Sequence, residues 1–179
     1  EAAVGAGGAG GAGGAGSFVT AFPETPILVP EGGRRHLAEP SKLLAASRAS
    51  LGELCDAYGP VFPVPQEKLL ADSQGIEGLT VIDTPGHAPF HSSYLYELEG
   101  RKILFAGEAA GCRFDHGKGK AFLRPATPHK FYYDTAMTSL EKLLALKSVD
   151  LVCYPHSGCT AEWKEALETS AAQNTLWLE

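Results

Sequence analysis

The chain has 179 residues, of which 44% are hydrophobic, and this length and composition are sufficient for a single folded domain spanning 1–179. Its formal net charge of −6 argues against a nucleic-acid partner, because affinity for phosphate backbones depends on clustered Lys and Arg. No apolar run reaches the roughly 18 residues of a membrane-spanning helix and no signal region opens the sequence, so we expect no membrane partner. The spacing of the four cysteines fits reduced thiols, from which we expect a cytoplasmic protein.

The first part of the sequence is rich in glycine. Residues 5–16 read GAGGAGGAGGAG, a Gly-Gly-Ala repeat that loses much backbone entropy in any regular element. We therefore predict a flexible Gly/Ala-rich segment over 1–16, running into a short helix at Ser17–Phe22. The chain begins with Glu1 rather than Met, from which we expect it to be incomplete at its N-terminus.

The next elements alternate between short and amphipathic patterns. PILVP at 26–30 has the apolar character of a buried strand between breakers. The basic cluster RRH at 34–36 is typical of a solvated loop. KLLAASRASLGELCDAY at 42–58 predicts a helix that ends at Gly59-Pro60.

From Gly78 onward the pattern predicts strands. These are GLTVIDT at 78–84, SSYLYELEG at 92–100 and RKILFAGE at 101–108, with a hairpin turn at Glu99-Gly100. A glycine- and charge-rich loop is expected over 109–128.

The remaining elements alternate again, as a helix at 134–148, a strand at 150–155 and a helix at 160–178. Alternating strands and helices predict an α/β layered domain.

Three of the predicted strands are followed directly by a side chain that can bind a metal ion. VIDTPGH ends at His87, ILFAGE at Glu108 and LVCYPH at His156. Loops at strand ends of α/β folds converge on one site, so these residues can meet in space. Imidazole and carboxylate suit zinc, iron or manganese. Each residue alone would more often be a structural cap or turn residue, and it is the threefold recurrence that indicates a site.

The segments TPGHAPFHSSYL, ILFAGEAAG and VCYPHSG resemble the later metal-binding motifs of the metallo-β-lactamase superfamily, and GGAGSFVTAFP, GGRRHLAEPSKL and RPATPHKF extend the likeness. This resemblance implies an αββα sandwich in which metal-activated water hydrolyses a small-molecule substrate. It also implies that His87 binds a first metal, that Glu108 bridges two metals and that His156 binds the second. His91 would face the substrate or hold a ligand in place, with a surface histidine as the alternative.

Two features depart from that family pattern. The motif His-x-His-x-Asp-His is missing, and a gapless alignment places Ala6, Gly8, Gly10 and Gly11 at its four ligand positions. The chain is then either a fragment that begins after the motif or a degenerate relative, and we favour the fragment. Glu108 stands where the family usually has Asp, and its additional methylene favours a single-metal or altered site.

We therefore expect a metal-dependent hydrolase of an ester, thioester, lactam, lactone or phosphoester, inactive or weak as this chain alone. Zinc is the expected cofactor, as one or two ions, with iron or manganese as alternatives and with no metal bound by this chain as a further one. The partner is a small-molecule substrate, and a homo-oligomer is an additional expectation.

Three other interpretations compete with the hydrolase. A metal-free interaction module on the same scaffold would also lack ligand positions. Gly5, Gly7 and Gly10 fit G-x-G-x-x-G, but a dinucleotide site requires a preceding strand and a following helix, which the sequence does not predict there.

The four cysteines show no C-x-x-C spacing and indicate neither a zinc knuckle nor a redox pair. Cys159 as a nucleophile lacks an oriented base, and Cys112 is expected to be a small buried hydrophobe.

Overall fold

The computed structural model describes residues 3–4, 9–71, 75–115, 121–127 and 131–178, and the chain divides into two compact units, Glu1–Gln74 and Gly75–Glu179. Both units contain helices and sheets, which confirms the predicted α/β class. The prediction of a single domain over 1–179 stays a prediction. None of the helices in the described part of the chain is long and apolar enough to cross a membrane.

The first unit combines a small parallel sheet with three helices. Its strands, in sheet order, are β1 (Ala3–Val4), β2 (Ile27–Val29) and β3 (Leu69–Ala71). Its helices are α1 (Ala9–Ala21), α2 (Glu31–Ala38) and α3 (Ser41–Leu51), and short 3-10 helices span Gly52–Tyr58 and Gln66–Lys68. All of β2 is buried, as the apolar run predicted.

Two segments of this unit that we predicted to be irregular are helical. The basic cluster at 34–36 lies in α2, where Arg34 pairs with Glu31 one turn earlier and Leu37 is buried. Helix α1 begins at Ala9, inside the predicted flexible segment, and residues 5–8 lie outside the described part. Ala15 and Val19 of α1 are buried in the core of the unit, and packing of this kind outweighs the poor helix propensity of glycine.

The second unit is built on a five-stranded mixed sheet. Its strands, in sheet order, are β10 (Cys159–Thr160), β9 (Leu151–Cys153), β6 (Arg101–Phe105), β5 (Ser92–Leu98) and β4 (Leu79–Asp83). β6 and β9 are parallel, and the other neighbours are antiparallel. Glu99 and Gly100 have φ of 50° and 76°, which gives the predicted two-residue turn the twist that a tight hairpin needs.

Helices α4 (Tyr133–Leu144) and α5 (Trp163–Leu176) contact each other and confirm the last two predicted helices. Leu140 and Leu143 of α4 and Leu167 of α5 are fully buried in one cluster with Leu104 and Val152 of the sheet. Most of the hydrophobic stabilisation of this unit therefore lies beside the central strands β6 and β9.

The prediction of an irregular loop over 109–128 was wrong. A 3-10 helix spans Gly107–Ala110, and a separate hairpin follows, formed by β7 (Cys112–Asp115) and β8 (Ala121–Arg124). Phe114 and Phe122 lie directly opposite each other, with stacked rings 5.1 Å apart. This cross-strand aromatic pair stabilises the hairpin.

Candidate metal centre

Three strands of the second unit run in the same direction, so their C-terminal ends lie along one edge of the sheet. β4 and β6 are each antiparallel to β5, so they are parallel to each other, and β9 is parallel to β6. His87, Glu108 and His156 follow the ends of β4, β6 and β9. β5 runs the opposite way, so His91, directly before its first residue, lies at the same edge. The topology alone therefore draws the predicted residues together.

The carboxylate of Glu108 is the centre of this group. Its Oε1 lies 3.9 Å from Nε2 of His87 and 3.7 Å from Nε2 of His156, and its Oε2 lies 3.4 Å from Nε2 of His91. The side chain of Glu108 is 8% exposed and that of His156 is 48% exposed. His91 is fully buried, so the alternative of a surface histidine was wrong.

The Thr-Pro-Gly-His turn is shaped by helix α4. A Cβ at Gly86 would lie 2.9 Å from the Cα of Ala136, and the φ of Gly86 is 148°, so only glycine fits there without strain. Ser139 donates a hydrogen bond to the carbonyl oxygen of Pro85 at 2.6 Å. The turn that presents His87 is thus fixed by a close backbone approach and a hydrogen bond.

The ring of His87 is oriented by a backbone carbonyl. Its Nδ1 lies 3.1 Å from the carbonyl oxygen of Ala126, which can only accept, so Nδ1–H is the donor. The lone pair of the neutral ring is then on Nε2, the atom nearer Glu108. Metal-binding histidines are commonly oriented by such a hydrogen bond from the other ring nitrogen.

His91 positions the backbone of Glu108. The N–H of Glu108 donates to Nε2 of His91 at 3.1 Å, so Nε2 carries no proton. Nδ1–H of His91 lies 3.0 Å from the carbonyl oxygen of Thr84 and 2.9 Å from its hydroxyl. The Thr84 hydroxyl contacts that of Ser93, which donates to the carbonyl oxygen of Ala106. A buried chain of hydrogen bonds therefore joins the end of β4, the start of β5 and the segment that follows β6.

Glu108 is ionised in this setting. Burial raises the pKa of its carboxyl, but His91 and His87 in their protonated forms, together with the backbone N–H of Glu108, lower it by more, so the pKa lies below the ordinary value of 4.5. Its Oε2 is buried and has no hydrogen-bond partner among the described residues. A buried anion without a full set of donors is a group that a cation would satisfy.

The side chains at this centre are of the types that bind a divalent cation. Two imidazoles and one carboxylate form a ligand set that catalytic zinc sites use, with water completing the coordination. In a tetrahedral zinc site, ligand atoms about 2.1 Å from the ion are about 3.4 Å apart. The distances of 3.7 and 3.9 Å between Glu108 and the two imidazoles are slightly larger. Accordingly, no three such side chains in the described ranges are close enough to hold a metal as they stand, and a small inward movement is needed.

A cavity of about 10 Å³ adjoins the centre and is lined by His87, Glu108, Ser139 and Asn174, among others. It has room for about one water molecule. Sequence reasoning missed Asn174, on α5, and Ser139, on α4, because helix residues without a motif give no signal until the packing is known. It also missed the carbonyl group of Ala126, which no side-chain pattern could reveal.

The sequence profile of the metallo-β-lactamase superfamily matches residues 12–156. The chain is similar to an archaeal metallo-β-lactamase superfamily protein from Sulfolobus tokodaii, with 27% identity and a TM-score of 0.69 over 88% of this chain and 60% of that one. It is also similar to a B3 metallo-β-lactamase, with 23% identity and a TM-score of 0.58 over 90% of this chain and 70% of that one. A metallo-β-lactamase family protein from Thermus thermophilus has 22% identity and a TM-score of 0.56 over 89% of this chain and 57% of that one.

The chain spans 60% of the length of the archaeal protein and 57% of the Thermus protein. No curated protein matches it. The profile match begins at residue 12, after Ala6, Gly8, Gly10 and Gly11. The gapless placement of the four missing ligands on these positions therefore stays a prediction.

Proposed function

Because the chain belongs to the metallo-β-lactamase superfamily, we propose that it is a metal-dependent hydrolase in which His87, Glu108 and His156 bind a divalent cation, with zinc as the first candidate. The observation that carries this proposal is the convergence of two imidazole Nε2 atoms on one buried carboxylate. The sheet topology would bring any residues at these positions together. Here the residues that meet are two imidazoles and a carboxylate, which are side chains that can bind a metal ion.

Each residue of the site has a defined task in this proposal. His87 offers Nε2 to the cation because Ala126 holds its Nδ1–H. Glu108 offers a carboxylate that is ionised at neutral pH. His156 offers Nε2 from the exposed side of the centre, where a substrate could approach. His91 acts through Glu108 by holding its backbone N–H.

A divalent cation supplies a Lewis acid that polarises a carbonyl or phosphoryl oxygen and makes water a better nucleophile at neutral pH. Esters, thioesters, lactams, lactones and phosphoesters are the substrate classes we propose. Three protein donors are fewer than the roughly seven positions that the family resemblance implies, so we expect weak binding and weak turnover from this chain.

The alternative proposal is a metal-free interaction module. It is favoured by the distances above 3.5 Å between Glu108 and the two imidazoles and by the glycines at 10 and 11 in α1. Fold does not determine function, and a scaffold of this family can persist without its chemistry. Zinc binding separates the two proposals.

The test is equilibrium dialysis of the chain against a zinc series, with bound metal measured by mass spectrometry. We expect about one zinc per chain, and an affinity at least tenfold weaker in His87→Ala and in His156→Ala. His36→Ala, a histidine in α2 of the first unit, is the matched control and should bind as the wild type does. Hydrolysis of p-nitrophenyl acetate should follow bound zinc.

Equal zinc affinity in the wild type and both variants would contradict the ligand assignment. A wild-type chain that binds no zinc even at millimolar concentration would favour the metal-free module instead.

A further inference from the structure

The β9–β10 hairpin carries two cysteines directly opposite each other. Cys153 pairs with Cys159 in antiparallel register, and directly opposite residues project their side chains on the same face of a sheet. Both are free thiols, with Cys159 exposed and Cys153 half-buried. The turn between them, 154–158, contains His156.

The backbone hydrogen bonds identify the kind of pair. The N–H of Ala106 donates to the carbonyl oxygen of Cys153 at 3.1 Å, so the peptide groups of Cys153 point toward β6 and away from β10. The next pair outward is bonded, since the N–H of Tyr154 donates to the carbonyl oxygen of Gly158 at 3.1 Å. Cys153 and Cys159 therefore form a non-hydrogen-bonded pair.

Such a pair has the separation that a disulfide requires. The Cα atoms of a non-hydrogen-bonded antiparallel pair are about 4.5 Å apart. Disulfides span Cα separations of about 4.4–6.8 Å, so the bond can form without moving the strands far. Burial and, after it, the neighbouring Cys159 raise the pKa of the Cys153 thiol, which agrees with two thiols in contact.

The other two cysteines are placed differently. Cys55 lies in a 3-10 helix of the first unit. Cys112 lies in β7, where its register partner is Arg124, and burial followed by the charge of Glu108 raises the pKa of its thiol. They serve as internal controls for any oxidation of the chain.

We propose that Cys153 and Cys159 are a redox-sensitive pair that an oxidised small thiol, such as glutathione disulfide, converts into an intramolecular disulfide. The exposed thiolate of Cys159 breaks the S–S bond of glutathione disulfide, forms a mixed disulfide and releases one glutathione. The thiol of Cys153 then loses its proton and attacks the sulfur of Cys159, which releases the second glutathione. Two protein thiols are oxidised, and one glutathione disulfide is reduced to two thiols.

The new bond joins the two ends of the turn that carries His156 and restricts its motion. Thiols are restored when excess reduced glutathione or dithiothreitol reverses the exchange. This proposal needs no metal ion, so it stands or falls separately from the hydrolase proposal.

The experiment treats the metal-free chain with glutathione disulfide, alkylates the remaining thiols and maps the peptides by mass spectrometry. We expect a dithiothreitol-sensitive link between Cys153 and Cys159, with Cys55 and Cys112 alkylated. In Cys153→Ser, Cys159 should stop at the glutathione mixed disulfide, while Cys55→Ser should still form the link. Amide hydrogen exchange across 154–158 should be slower in the oxidised chain.

Three results would overturn the proposal. They are a chain with glutathione on both cysteines and no internal bond, a bond that involves Cys55 or Cys112, and a chain without any modification of Cys159. Equal amide exchange across 154–158 in the oxidised and reduced chains would overturn the restriction of the His156 turn.

Discussion

The sheet edge of the second unit and the glycine-rich start of the first differ in chemistry. At the sheet edge, His87 and His156 lie within 4 Å of the Glu108 carboxylate. In the first unit, Gly10 and Gly11 lie in α1 and have no side chain that could bind a metal, although the family resemblance places ligands there. The family profile still matches from residue 12. Packing and ligand chemistry are therefore separable requirements of this fold.

Substitutions of the glycines in α1 test this comparison with the largest expected effect. A Cβ at Gly16 would lie 2.0 Å from the carbonyl oxygen of Phe62, whereas a Cβ at Gly14 would meet nothing within 4 Å. We expect Gly16→Ala to lower the free energy of unfolding by about 3 kcal/mol, because backbone must move. Gly14→Ala should raise it by about 0.5–1 kcal/mol. Urea denaturation of both variants measures this, and equal stability would show that helix α1 is not packed as described.

The corresponding substitution at the sheet edge is Gly86→Ala. Contact with Ala136 and a φ of 148° should lower the free energy of unfolding by about 2–3 kcal/mol and displace His87, which weakens zinc binding. Gly100→Ala has a positive φ but open space, so it should cost about 1 kcal/mol and leave zinc binding unchanged. Denaturation and dialysis together check the pair. Unchanged zinc affinity in Gly86→Ala would separate the turn from the site.

The buried chain of hydrogen bonds gives a further test of the comparison, because it lies at the sheet edge of the second unit, beside the residues proposed to bind the metal. His91→Phe leaves the N–H of Glu108 and the carbonyl oxygen of Thr84 without their partner and should lower the free energy of unfolding by about 2 kcal/mol. Ser93→Ala removes one hydroxyl two residues away and should cost about 1 kcal/mol. The amide resonance of Glu108 should shift strongly only in His91→Phe. A similar shift in both variants would argue against direct positioning by His91.

The smallest expected effect is the pH dependence of stability. The pKa of Glu108 is lowered on folding from an ordinary value of 4.5, so its carboxylate favours the folded state above pH 4.5. That contribution is lost as the pH falls from 4.5 through the lower pKa of the folded chain. Glu108→Gln should therefore flatten the acid limb of the stability curve in that window. Identical acid limbs for the two proteins would contradict the ionised state of Glu108.

The elements that the sequence predicted correctly are those with a strong local pattern. The strands before His87, Glu108 and His156 have apolar runs of the expected length, and the turn at Glu99-Gly100 has its own residue signature. The convergence of these three residues followed from their recurrence after strands. Their burial and the hydrogen bonds that orient them required the packing of α4 and the carbonyl of Ala126.

The failures have the same physical cause, which is that a contact distant in sequence outweighs a local preference. Helix α1 forms from glycines because Ala15 and Val19 are buried. The sequence predicted neither a strand before the G-x-G-x-x-G motif nor a helix after it. The structure has β1 before Gly5 and helix α1 from Ala9, so it is the family match that argues against a dinucleotide site. The spacing of Cys153 and Cys159 became informative only through the register of their hairpin.

The most direct test of the central claim is zinc K-edge X-ray absorption of the zinc-loaded chain. We predict nitrogen and oxygen donors at about 2.0–2.2 Å with the outer-shell signal of two imidazoles, one of which disappears in His87→Ala and one in His156→Ala. A sulfur shell at about 2.3 Å, or an imidazole signal unchanged in both variants, would show that zinc binds elsewhere.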